Sequence, residues 1–221
     1  YVFYLSVYKY RWPGVTMKFC FLALSSVLVL LSLPAKAQEV AVVQLYTQDE
    51  LLDLIKQNSH LQRVQKDECQ LVSDIQARAD VMKVPAYQFL YGDMLAFGVC
   101  VKKDVERGWD LILQAASQGL PEALEQVGRY YHTGRFVQRD KSKAVLYLRE
   151  AAGLGNLKAQ MRFAQMLIKG EASPLDMEDC YRWLHHSVIA DTKTHQEVQQ
   201  LLAQLANKMP GAVLTRAKRP L

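Results

Sequence analysis

The side chains in this 221-residue chain that could do chemistry are four cysteines, five histidines and a scatter of serines and acids. Cys69, Cys100 and Cys180 are too far apart for a Cys-x-x-Cys metal knuckle, and no histidines stand at a paired metal-ligand spacing. His185 and His186 are adjacent, so on a helix their rings point about 100° apart and do not share a metal. There is no Gly-x-Ser-x-Gly elbow, no phosphate-cradling glycine loop and no pair of acids beside a cleft-forming glycine. A catalytic constellation, a cofactor and a metal are therefore not expected. Thiol chemistry remains. With Cys20 in an apolar N-terminal run and set aside as leader, Cys69, Cys100 and Cys180 allow three pairings, with one thiol left free. The Cys69–Cys100 pairing is favoured, because it would staple an N-terminal segment to the turn after Gly98. A thiol awaiting a partner chain is the alternative for whichever cysteine is left over.

The elements that must position these residues repeat with a period of 36. Gly98, Gly134 and Gly170 align, as do Asp104, Asp140 and Asp176 six residues on. Ala115-Ala116 matches Ala151-Ala152, with Ser187-Val188 in that place in the third copy. Tyr91-Gly92, Val127-Gly128 and Phe163-Ala164 are in phase. In the middle copy Pro121 opens a helix, and Ala123, Val127, Tyr130 and Tyr131 give it one apolar face. Gly134 ends it and Asp140 caps a second helix, whose face is Ala144, Tyr147, Leu148, Ala151 and Ala152. Gly128, costly in mid-helix, implies close approach of a neighbour. Cys180 falls in the slot of Gly108 and Ala144, a place for a small buried residue. Such helix pairs cannot bury their faces alone and must stack.

The order Val127-Gly128, Tyr131, Gly134, Val137, Asp140, Lys143-Ala144, Ala151-Ala152 and Gly155 resembles the Sel1-type repeat, a relative of the tetratricopeptide repeat. The first copy departs at Gly108-Trp109. The third has Ala164 for the helix glycine and lacks the alanine pair, as a capping copy would. The fold expected is all-α: a right-handed solenoid of about three stacked helical hairpins with an N-terminal helical extension and a C-terminal capping helix.

Four segments are expected. Residues 1–37 read as a leader. Met17 is the first methionine, residues 1–16 are taken to lie upstream of the start, and Lys18, the apolar run Phe19–Leu33 and Ala35-Lys36-Ala37 have the form of a secretory signal cleaved after Ala37. Residues 38–84 form the extension, with a capping box at Thr47–Glu50. There, Leu51, Leu52, Leu54 and Ile55 make a short amphipathic helix and a candidate docking element. A second helix is expected from Leu71 to Met82. Residues 85–190 are the repeats. Residues 191–221 are a capping helix, Asp191–Ala206, and a flexible basic tail with Arg216, Lys218 and Arg219. The leader holds four of the 27 basic residues and none of the 22 acids, so 38–221 carries 23 against 22, a formal charge of +1 in place of +5. A nucleic-acid partner thus has no electrostatic basis.

Taken from 17 to 221, with Tyr46–Leu51, Cys69, the repeats and the short basic tail, the chain also resembles the periplasmic T-ring proteins of sodium-driven polar flagellar motors. That resemblance implies a non-enzymatic scaffold of the flagellar basal body. Its partners would be MotY and the PomA/PomB stator, mainly the periplasmic part of PomB, and the chain itself would span no membrane after leader cleavage. Two alternatives stay open: a secreted repeat adaptor of an unrelated pathway, and a repeat-type periplasmic hydrolase. Repeat proteins linked to β-lactam hydrolysis pair cysteines within each repeat, whereas Cys100 and Cys180 stand alone in theirs.

Overall fold

Thr47 opens the first helix, its hydroxyl accepting the Glu50 amide proton at 3.2 Å and so satisfying one of the orphan donors of a helix start. From there the computed structural model, which describes residues 45–219, contains eleven α-helices and no strand among the described residues. The leader expected over 1–37 lies outside them. The extension comprises α1 (Gln48–Lys56), α2 (His60–Lys66) and α3 (Val72–Asp80). Three successive hairpins come next: α4 (Pro85–Phe97) with α5 (Val105–Ser117), α6 (Pro121–Thr133) with α7 (Lys141–Gly153), and α8 (Leu157–Ile168) with α9 (Met177–His186). The chain then runs into α10 (Thr192–Ala206) and α11 (Gly211–Ala217).

Local chemistry sets the hairpin boundaries. Pro85 and Pro121 occupy first-turn positions of α4 and α6, where a missing N–H is harmless. Gly98 and Gly134 end those helices at φ of 72° and 77°, a conformation a Cβ disfavours. Asp104 and Asp140 accept the amides of Arg107 and Lys143 at 3.1 and 3.0 Å, starting α5 and α7. The third hairpin departs from this plan. A 3-10 turn at Pro174–Asp176 precedes α9, and the Asp176 carboxylate accepts from Arg149 Nε at 2.9 Å instead of capping.

In the first two hairpins the helices approach closely at a mid-helix glycine. A Cβ added to Gly92 would lie 2.8 Å from the Gly108 carbonyl oxygen, and one added to Gly128 would lie 2.7 Å from Leu148 Cγ. The Gly108 that breaks the repeat pattern is thus the partner of Gly92. Around these seams Tyr87, Leu90, Ile112, Leu124, Leu148, Tyr130 and Phe163 are fully buried, each stabilising the fold by about 2 kcal/mol. α4 is buried from Ala86 to Ala96, as befits a helix that is apolar on nearly every side.

Two expectations are corrected. Only two helices are expected in the extension, but after a turn at Asn58, φ 55°, a further helix, α2, begins at His60. Its sequence hides it: only Leu61 and Val64 are apolar, and Val64 and His60 are the residues it buries. The basic tail is a second case. It forms α11, whose Ala217 is fully buried, because Arg216 grips Glu178 of α9 through Nη2 at 2.7 Å and Nε at 3.2 Å. His186 Nε2 also meets the Arg219 carbonyl at 3.0 Å.

Candidate functional site

Cys69, between α2 and α3, and Cys100, between α4 and α5, are joined in a disulfide with their α-carbons 5.5 Å apart. Both occupy the left-handed region at φ 60°, which a non-glycine residue holds only where its surroundings over-determine it. The bond ties the extension to the first hairpin beside a polar cluster: Tyr46 donates to Asp67 Oδ2 at 2.7 Å, Arg63 donates to the same oxygen at 2.8 Å, and Tyr87 donates to the Tyr46 carbonyl. Burial and the Asp67 hydrogen bond push the Tyr46 hydroxyl well above its ordinary range. Cys180 is buried in α9 with a free thiol, and burial pushes that thiol up to about 12.

The α1 leucines divide. Leu51 and Ile55 are buried in the core, while Leu52 and Leu54 are half-buried. The apolar face of α1 is thus largely engaged within the fold, and of the four only Leu52 and Leu54 keep partial exposure. His185 and His186 are exposed, with ring centroids 5.0 Å apart and edge to face, and no cluster of metal-ligating side chains occurs among the described residues.

A recess runs along the first helices of the hairpins, lined also by residues of α1 and α10. It has a volume of about 480 Å³ and an apolar floor of Ile55, Phe89, Leu157 and Met161. Asn58, Glu125, Gln126 and Lys158 belong both to it and to a second recess of about 410 Å³ over α2, α4 and α6. A chain of polar side chains backs this second recess. His60 Nε2 meets Asp93 Oδ2 at 2.8 Å, and Gln126 donates to the other Asp93 oxygen. Arg129 donates to Gln126 Oε1 at 3.0 Å, while the guanidinium nitrogens of Arg129 and Arg162 lie 3.3 and 3.6 Å from one Glu125 oxygen. His60 Nδ1 and Arg162 Nε are buried without a hydrogen-bond partner among the described residues. Burial lowers the Arg162 pKa, with neighbouring Arg129 adding to the effect and Glu125 opposing it.

None of these polar residues stands out in the sequence. The one signal is positional: Leu90, Gln126 and Arg162 share one place in the 36-residue register, and Asp93, Arg129 and Gln165 share another. The arrangement offers shape, charge and an apolar floor, the means of holding another molecule.

A family model for the Sel1 repeat matches residues 85–120 and 121–156, the first two hairpins. The sodium-type polar flagellar protein MotX of Vibrio parahaemolyticus is 52% identical over 199 residues, which are 88% of this chain and 94% of that protein. An uncharacterised protein of Neisseria meningitidis is 29% identical over 103 residues, 47% of this chain and 21% of its own length. The crystal structure of a Sel1 repeat protein from Oxalobacter formigenes superposes with a TM-score of 0.50 at 21% identity, covering 58% of this chain and 97% of that one. This last likeness is one of fold alone.

Proposed function

The chain belongs to the family of the sodium-type polar flagellar protein MotX, and on that premise we propose that it is a periplasmic scaffold that helps hold the stator around the rotor of the motor. Membership makes it a component of the sodium-driven flagellar motor and a structural repeat protein, not an enzyme. The observation that carries the finer reading is that the likeness to MotX runs nearly end to end and is not confined to the shared repeats.

In this reading residues 1–37 are the leader, removed after Ala37. The extension 38–84, the repeats 85–190 and the closing segment 191–221 form the working part. One surface binds MotY in the T ring, and another binds the periplasmic part of PomB in the PomA/PomB stator. The mechanism is adhesion: stacked hairpins offer a long, rigid surface with no chemistry of its own. Sodium passage belongs to the stator, and no helix among the described residues is long and apolar enough to cross a membrane.

The test is co-purification. Tagged full chain, exported in the source cell, should recover MotY and PomB from periplasmic and detergent extracts. Recovery of neither by a chain with a normal helical spectrum would overturn the reading.

A further inference from the structure

Two cations on the rim of the second recess have no carboxylate within ion-pair distance among the described residues. Arg135 is exposed and lies over the rings of Phe97 and Phe136 at 4.9 and 5.3 Å. Lys158 is exposed and donates only to the Lys56 carbonyl, at 2.6 Å. Behind them Arg129 and Arg162 share one carboxylate, that of Glu125, and Asp93 is already engaged by His60 and Gln126. The recess thus gathers Arg129, Arg135, Lys158 and Arg162 against two carboxylates that are both in use. Partial desolvation lowers the Lys158 pKa, with Glu125 opposing the effect and Arg129 adding to it. An incoming anion would reverse that.

The occupant must also suit the adjoining trough, whose floor is Ile55, Phe89, Leu157 and Met161 and whose far rim carries Glu122 and Glu197. A bare phosphate leaves that apolar floor uncovered, and a nucleic-acid strand would run onto the glutamates. The geometry points to a short peptide segment of a partner protein, with an aspartate or glutamate held by Arg135 and Lys158 and a neighbouring apolar side chain in the trough. This goes beyond the motor assignment and does not depend on it, because it rests on the charge and shape of the groove.

The test starts with a phage-displayed library of random 12-residue peptides panned on the purified full chain. The best peptide is then synthesised with fluorescein and titrated by anisotropy. The selected peptides should place an acid beside leucine, isoleucine or phenylalanine. Affinity should fall at least tenfold when the peptide acid becomes its amide, and at least tenfold on R135E/K158E. K158E alone, which leaves the aromatic contacts of Arg135 intact, should weaken binding severalfold, and both variants should melt near the parent. The inference is overturned if no peptide is selected, if the selected peptides show no acidic residue, or if the variants bind as well as the parent. It is also overturned if inorganic phosphate or a DNA dodecamer displaces the peptide at the concentration of a competing acidic peptide.

Discussion

Gly92 and Gly108 stand backbone to backbone. A Cβ on Gly108 would lie 2.6 Å from the Gly92 carbonyl oxygen and 2.8 Å from the Ala96 nitrogen. Neither contact can be relieved by turning a side chain, so α4 and α5 must move apart to admit a methyl. Gly108→Ala should cost about 2–3 kcal/mol and lower the melting temperature by roughly 5–10 °C. Gly153→Ala is the control. Its new methyl would meet only the Trp183 ring, at 3.4 Å, and its stability should stay within about 0.5 kcal/mol of the parent. Thermal denaturation of both variants checks the contrast.

The Cys69–Cys100 bond closes a loop of sequence separation 31. Its loss should destabilise the fold by about 3 kcal/mol, chiefly by releasing the unfolded chain. Cys69→Ser, Cys100→Ser and the double variant should fall by the same amount in urea unfolding, since either serine removes the whole bond.

Cys180 is fully buried. In residues 38–221, which lack Cys20, Ellman's reagent should find no reactive thiol in the native protein and one in denaturant without reductant. The sign of its pH linkage is set by the raised pKa. Unfolding returns the thiol from about 12 to its ordinary 9.0, so between those values the unfolded state sheds a proton that the folded state keeps. Stability should therefore decline as pH rises above 9, and Cys180→Ala should show a shallower decline in the same window.

Glu125 is the single carboxylate shared by Arg129 and Arg162. Glu125→Gln keeps the shape but leaves two partly buried guanidinium groups without a counter-charge. A loss of about 2 kcal/mol is expected. The loss should shrink in the Glu125→Gln/Arg162→Met double variant, a cycle measurable by chemical denaturation.

What the sequence made legible was whatever is local or periodic. The glycine stops at 98 and 134, the aspartate caps at 104 and 140 and the Thr47 start all act within a turn of themselves, so their residue types name their roles. Gly128 betrayed a close helix pair because a glycine there has no other reason. The polar chain stayed hidden for a geometric reason. His60 meets Asp93, and Asp93 meets Gln126, each across 33 residues, whereas the copies align every 36. These partners sit one helical turn out of the 36-residue register, so they do not share a column. α2 and α11 were missed because few apolar residues mark them. Their order comes from what they pack on, α4 for the one and α9 for the other.

An array of hairpins left bare at its ends could go on adding units, with neighbours from other chains or with itself. Here the extension lies against α4 at one end, and α10 and α11 lie against α8 and α9 at the other. The stack is stoppered on both sides. Its length is therefore a constant written into the chain, and two bodies fastened to it would stand at one set separation. The protein is in that sense a ruler.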